Sequence, residues 1–337
     1  MVVHIEDDLD LAKIDASGQC FRWRHPAEKR WIIPAFGKVL QVEELGNNEF
    51  WFECTPEEFE GVWKEYLDLQ TSYRAIRTSI PDSDLYMKKA ADLGAGIRVL
   101  RQDPWETLGT FIMSQRKNIP AIRQCVERLC SCAGDNLGTY QGEKIYAFPS
   151  PEAILGIRCR KISPEQGRCS YQEQGIPLCG LGYRMPYVRA AAAWAAAVTA
   201  APGTGCVNAS TRSADPDSVS GPESVQENTA MPNNARKPRS ATDAGTKLSA
   251  AAAALSDEEL LQELMKIKGV GIKVASCTAL FGFHRTNAFP VDVWMKRALS
   301  QHYPSGFDPA VYAPYAGIMQ QYMFFAVREE AIKQTKH

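Results

Sequence analysis

Charge of one sign, paired cysteines, histidine and long apolar runs are all scarce in this sequence. Its 337 residues hold 38 Lys and Arg against 39 Asp and Glu, a formal net charge of −1. That balance excludes a polybasic surface that grips nucleic acid or membrane everywhere; any anionic polymer has to be met by a local patch. No uncharged apolar run reaches the roughly 18 residues that a membrane span needs. The five histidines and ten cysteines contain no H-x-x-x-H or C-x-x-C. Zinc-ligand spacings are therefore missing, and no zinc site is expected. Met1-Val-Val-His-Ile-Glu-Asp-Asp has neither a basic nor an apolar leader segment, so no signal peptide is expected. The reading is a reduced, intracellular protein: cytoplasm or nucleoid in a bacterium, nucleus in a eukaryote.

One absence is local. Between Trp194 and Leu248 there is no Leu, Ile, Phe, Trp or Tyr. Such a stretch buries too little apolar surface to offset the entropy of ordering, so residues 195–247 read as a disordered insertion. The alanine runs Ala190–Ala193, Ala195–Ala197 and Ala250–Ala254 extend the neighbouring helices. What is present divides into two kinds of periodicity. Cys20–Arg24, Trp31–Phe36, Lys38–Leu45 and Glu49–Cys54 read as strands, with Gly46-Asn47-Asn48 as a hairpin turn. Thr55-Pro-Glu-Glu opens a helix, with Thr55 as N-cap and Glu58 completing a capping box. From about Asp82 the period is helical, as in Pro104–Met113 and Ile119–Cys130. The expected fold is α+β: an N-terminal antiparallel β-sheet domain over 1–80, then an all-α region over 81–194 and 248–337.

The most informative segment is Leu261-Gln-Glu-Leu-Met-Lys-Ile-Lys-Gly-Val-Gly-Ile-Lys273. An amphipathic helix runs into Gly269-Val270-Gly271 and a second helix follows, which makes a helix-hairpin-helix. A glycine turn at a helix N-terminus exposes N–H groups that suit a phosphate; it also suits an ordinary turn between packed helices. Lys273 lies in the first turn of the second helix, where the dipole disfavours a cation. Partial burial there would lower its pKa and free the amine for attack on an electrophilic carbon; a solvated surface lysine is the plain alternative. Asp292, in Phe289-Pro290-Val291-Asp292, precedes a new helical pattern. It can cap that helix and also stabilise developing positive charge.

Lys-Gly-Val-Gly-Ile-Lys273-Val-Ala followed by Pro-Val-Asp292 resembles the helix-hairpin-helix–Gly/Pro–Asp superfamily of DNA glycosylases, and within it the 8-oxoguanine DNA glycosylase/lyases. Gly18-Gln-Cys-Phe-Arg-Trp23, Leu100–Glu106, Gly180–Arg184 and Tyr315–Phe324 carry the same resemblance in the same order. It implies that Lys273 is the nucleophile on C1′ of the damaged nucleotide, that the resulting imine permits β-elimination, and that Asp292 stabilises the cationic sugar. Such a lysine nucleophile needs no metal or organic cofactor, so none is expected. It implies a base pocket in which the Gly18 carbonyl accepts from the N7–H that distinguishes 8-oxoguanine from guanine. Cys277 and Phe324 would sandwich the base, and Gln320 would read its pairing edge. Gly269, Val270 and Gly271 would bind backbone phosphate, and Tyr183 and Arg184 would press on the duplex. Arg116, Lys117, Asn118 and Trp294 complete the implied DNA face. The implied partner is double-stranded DNA containing an oxidised purine, met by a monomer with no membrane contact.

Two other readings have discriminating features. An endonuclease III-like glycosylase shares the hairpin, lysine and aspartate but usually carries an iron–sulfur loop after the aspartate; no cysteine follows Cys277 here. A non-catalytic helix-hairpin-helix DNA-binding protein would form no borohydride-trappable complex. The sequence also departs from the better-known eukaryotic members. Arg116 stands where they have the asparagine that fills the vacated stack, and Ala121 where they have the arginine that reads the opposite cytosine. Trp294 replaces their histidine, and with the short N-terminal domain this is closer to the bacterial branch. The Ala121 side chain cannot hydrogen-bond cytosine. Excision rates opposite C, A, G and T should therefore lie within about tenfold of one another; a strong cytosine preference in a single-turnover assay would refute this.

Overall fold

The computed structural model describes residues 1–157, 181–200 and 241–335. Five strands form one antiparallel sheet in the order β1-β5-β4-β3-β2: β1 (Val2–His4), β2 (Arg24–Ala27), β3 (Arg30–Ala35), β4 (Lys38–Gly46) and β5 (Glu49–Phe52). The β4–β5 turn is the expected one. Gly46 pairs with Glu49, and Asn47 and Asn48 both take positive φ (51° and 61°), matching the right-handed strand twist. Ile33, Leu40, Val42 and Phe52 pack with Trp63 and Leu67 beneath this sheet. Thr55 caps the following helix by accepting from the Glu58 N–H at 3.2 Å. The box is not reciprocal, because the Glu58 carboxylate accepts instead from Trp63 Nε1 at 2.9 Å. A complete capping box occurs at Ser256 and Glu259.

The first expected strand is not a strand. Cys20–Trp23 is irregular and β2 begins at Arg24. All four residues are buried, but into different places: Cys20 and Trp23 enter the core beneath the sheet, whereas Phe21 enters the helical core. Its apolar pattern records a chain threaded between two cores, not one face of a sheet.

The rest is mostly helical, as expected. The helix Pro104–Met113 is buried on every side, and Ile272–Phe281 packs against it, Phe111 stacking on Phe281 at 5.5 Å. One hairpin interrupts this region, β6 (Asn136–Tyr140) with β7 (Glu143–Tyr146), turned by Gln141 and Gly142 at positive φ. The alanine-rich flanks of the expected insertion are also ordered. Residues 195–200 end the helix Met185–Ala200, and 241–247 begin the helix Ala241–Ala252, with Ala195, Ala244 and Leu248 buried. High helix propensity and small side chains that permit close approach outweigh the lack of large apolar groups there. The remainder of that stretch lies outside the described residues, as do Cys159, Cys169, Cys179, Cys206 and Gly180.

Asp103 caps Pro104–Met113, accepting from the Glu106 N–H at 2.9 Å, and Gly245 of Ala241–Ala252 lies directly against its carboxylate. Burial pushes its pKa up to about 7, partly offset by the N–H bonds it accepts. The folded state therefore holds a proton that the unfolded chain releases near pH 4, so this group contributes a penalty that grows as pH rises from about 4 to 7. Asn caps a helix as well as Asp does. Asp103→Asn should leave the urea midpoint unchanged at pH 3.5 and raise stability at pH 8, by at most about 4 kcal/mol, the value of three pKa units.

Candidate active site

One cavity of about 320 Å³ lies where the irregular segment, the helix Ile272–Phe281 and the last helix, Ala316–Thr335, meet. Each wall is held by identifiable bonds. Gly18, at φ 75°, turns the irregular segment toward the cavity. Its neighbour Gln19 anchors the turn: its Nε2 donates to Ser17 Oγ and to the Arg98 carbonyl, and its Oε1 accepts from the Leu100 N–H, each at 2.8 Å. Across the cavity the ring of Phe324 sits so near that a Cβ on residue 18 would lie 3.3 Å from it.

Lys273 and Cys277 are one turn apart on Ile272–Phe281 and both line the cavity. The half-buried Lys273 amine lies 5.1 Å from the centroid of Phe111, over the face of that ring. Cys277 is buried, which pushes its thiol up to about 11; the Lys273 charge pulls it down and the Asp292 charge pushes it up. It therefore lies as a neutral, polarisable surface within electrostatic reach of both groups. Asp292 has two tasks at once. One carboxylate oxygen accepts from the Met295 N–H at 2.9 Å and caps Val293–His302, and the side chain also lines the cavity. Lys117, Asn118, Trp294, Gln320 and Phe324 line it too. Asn118 additionally caps Ile119–Ala133 through the Ala121 N–H at 3.0 Å.

The other expected residues stand outside the cavity. Arg116 is exposed at φ 54°, and Tyr183 is half exposed. Gly271 caps Ile272–Phe281 with no side-chain bond of its own, and open space surrounds it. Val270 is buried and its N–H donates to the Ile267 carbonyl at 3.0 Å, so the N–H expected for phosphate is already used within the hairpin. Arg184 requires a correction. Expected as a cation facing DNA, it is only 7% exposed. Its Nε donates to the Gln115 carbonyl at 2.8 Å, Nη2 donates to the same oxygen, and the guanidinium stacks 4.4 Å from the Tyr183 centroid. Gln115 Nε2 in turn donates to the Gly269 carbonyl at 2.8 Å. Arg184 thus joins the Tyr183 turn to the hairpin from within, and its guanidinium is already used.

Several lining residues escaped the sequence reading. Arg328 donates to the Ala16 carbonyl at 2.6 Å and sits 5.4 Å from the Phe324 centroid. Its signal was present: Gln320, Phe324 and Arg328 recur every four residues on one helix face. Phe21, Phe111 and Phe281 look like any core aromatic in sequence, and only the fold shows that they floor a cavity.

Fold and site together define a helix-hairpin-helix protein with an amine and a carboxylate at one apolar-floored cavity. Residues 1–108 match the family model described as the N-terminal domain of 8-oxoguanine DNA glycosylase. A probable N-glycosylase/DNA lyase of Methanothermobacter thermautotrophicus is 23% identical, covering 96% of this chain and 95% of that protein. The N-glycosylase/DNA lyase of Saccharomyces cerevisiae is 25% identical over 70% of this chain and 49% of its own length. Among solved structures, the Clostridium acetobutylicum 8-oxoguanine glycosylase/lyase in complex with double-stranded DNA containing cytosine opposite 8-oxoG superposes with a TM-score of 0.71. It is 28% identical and is covered over 98% of both chains. The first third of this chain thus carries the N-terminal domain of 8-oxoguanine DNA glycosylases, and the chain is similar along nearly its whole length to N-glycosylase/DNA lyases and 8-oxoguanine glycosylase/lyases.

The hairpin glycines are not equivalent. Gly269 is at φ 88° with the Tyr187 ring 2.2 Å from where a Cβ would lie, whereas Gly271 meets nothing. Gly269→Ala should lose at least about 2 kcal/mol from the left-handed backbone and the clash. Gly271→Ala should stay within about 1 kcal/mol of the parent. Chemical denaturation of the two variants checks the contrast.

Proposed function

We propose that this protein is a bifunctional base-excision repair enzyme that removes 8-oxoguanine from duplex DNA and then nicks the strand. The observation that carries the reading is the convergence of Lys273, Asp292, Gly18, Cys277, Gln320 and Phe324 on a single cavity. The damaged base leaves the stack and enters that cavity, where stacking on Phe324 and Cys277 offsets the few kcal/mol that extrusion costs. The Gly18 carbonyl accepts N7–H; guanine, with a lone pair there, leaves that acceptor unpaired.

The Lys273 amine attacks C1′, the N-glycosidic bond breaks, and its electron pair leaves with the base. Asp292 stabilises the positive charge that develops on the sugar. Loss of a proton and opening of the sugar ring give an imine between Lys273 and C1′. Abstraction of a proton from C2′ then expels the 3′ phosphate by β-elimination, and water releases the enzyme. DNA approaches over the hairpin N–H groups, with Arg116 and Lys117 as nearby cations, so a net charge of −1 is no obstacle. A genomic substrate assigns the protein to the compartment that holds the DNA, the nucleoid in a bacterium.

Borohydride trapping on an 8-oxoguanine duplex tests the mechanism. The parent protein should form a covalent complex, and Lys273→Gln should form none. Asp292→Asn preserves the cap and should slow base release by about 100-fold or more with little loss of DNA affinity. Efficient trapping by Lys273→Gln would show that another amine is the nucleophile.

A further inference from the structure

The charges that line the cavity do not balance. Lys117, Lys273 and Arg328 stand there with a single carboxylate, Asp292, in a chain whose formal net charge is −1. Lys273 and Asp292 have the chemistry described above, and Lys117 is one of the cations proposed to meet DNA. Arg328 has no role yet. It lies one turn beyond Phe324 on the last helix, and its Nη1 donates to the Ala16 carbonyl at 2.6 Å in a solvent-exposed bond at the cavity rim. Arginines that serve packing in this fold use most of their donors. Arg22 meets two carboxylates, Arg184 donates from Nε, Nη1 and Nη2 to backbone carbonyls, and Arg189 donates from both Nη atoms to three. Arg328 donates once: among the described residues it makes no ion pair, and its Nε and Nη2 make no hydrogen bond. Partial burial pulls its pKa below the ordinary guanidinium value, while the Glu329 and Asp292 charges act the other way. A cation that has exchanged water for one neutral carbonyl is under-compensated, and an anion beside it is favoured.

The unused edge of Arg328 has a definite shape. Nε–H and Nη2–H leave the guanidinium side by side and match two oxygens of one phosphate. With Nη1 tied to Ala16 and the Phe324 centroid 5.4 Å away, the fork is held in place before any ligand arrives, so less conformational freedom is lost on binding. An extruded nucleotide puts its base on the buried aromatic floor and leaves its phosphodiesters at the rim, where Arg328 lies. We propose that Arg328 is a substrate-binding residue that holds, through Nε and Nη2, a backbone phosphate adjoining the extruded nucleotide. This rests on the base-excision reading given above.

The test changes protein and DNA together. The parent protein, Arg328→Met and Arg328→Lys are compared on 8-oxoguanine duplexes with a natural backbone, or with a neutral methylphosphonate at the phosphate 5′ or 3′ to the lesion. Dissociation constants and single-turnover excision rates are read for each pair. In the parent, one of the two methylphosphonates should weaken binding by about tenfold to 100-fold, the worth of a hydrogen bond to a charged group. Arg328→Met should lose the same factor on natural DNA and no more than about twofold further on that methylphosphonate, because the contact is already gone. Its plot of log Kd against log salt should be shallower by about one. Arg328→Lys keeps the charge without the fork and should fall between the two; if Arg328→Met does not fold, the same comparison with Arg328→Lys decides. Equal methylphosphonate losses in parent and variants at both positions overturn the proposal and mark Arg328 as a structural tie to Ala16. No methylphosphonate loss in the parent overturns it as well. A parent protein that binds these duplexes but excises no 8-oxoguanine overturns the base-excision reading itself, whereas additive losses with excision intact overturn only the phosphate contact.

Discussion

The irregular segment from Ser17 to Trp23 is the constraint on which the rest of the molecule depends. It belongs to no regular element, so its backbone groups have to be satisfied one by one. Gln19 does much of this from a fully buried position: one amide bonds Ser17, Arg98 and Leu100, and Gln102 Nε2 reaches back to the Gln19 carbonyl. Arg22 continues the seam, its guanidinium bonding Glu106, Glu127 and the Tyr146 carbonyl. With Trp23 in the sheet core and Phe21 in the helical core, a shift of this segment would disturb both. Gly18, which contributes the cavity wall facing Phe324, is thereby held by two domains' worth of packing.

The same economy recurs at the reacting groups. Asp292 is a cap and a cavity carboxylate together, so the helix it begins fixes its position. Lys273 extends from a helix that is buried from Val274 onward. Its neighbour one turn on, Cys277, is kept neutral by burial and lines the same cavity. A short chain of bonds, Arg184 to Gln115 to Gly269, ties the hairpin to the segment that carries Arg116 and Lys117. The glycine turn and the exposed Arg116 are thus positioned by the bonds of Arg184 and Gln115 behind them.

Global charge was a poor guide to this surface. The balance of 38 basic and 39 acidic residues describes the whole chain, and much of it is consumed internally. Arg22, Arg98 and Arg184 are all buried. The DNA contact proposed above falls instead to a few cations near the glycine hairpin and to N–H groups that no count of charged residues includes.

The sequence by itself determined the elements whose signal is local. The hairpin Gly46-Asn47-Asn48, the Pro104–Met113 helix, the Gly269-Val270-Gly271 turn and the capping position of Asp292 follow from backbone preferences and periodicity within a few residues. Lys273 stood out because a cation is disfavoured in the first turn of a helix, whereas Asp292 is an ordinary N-cap by position and was singled out with the resemblance. Tertiary structure decided everything that depends on which core a side chain enters. Cys20–Trp23 has the pattern of a strand because Phe21 and Trp23 flank a polar residue, yet all four residues are buried and those two rings enter different cores. Arg184 has the composition of a surface cation, yet the carbonyl of Gln115 lies where its guanidinium ends. The alanine-rich flanks of the 195–247 stretch lack large apolar groups, yet neighbouring helices come near enough to bury methyls. Periodicity reports that a residue is buried; it carries no information on what that residue is buried against, and the site is made of such contacts.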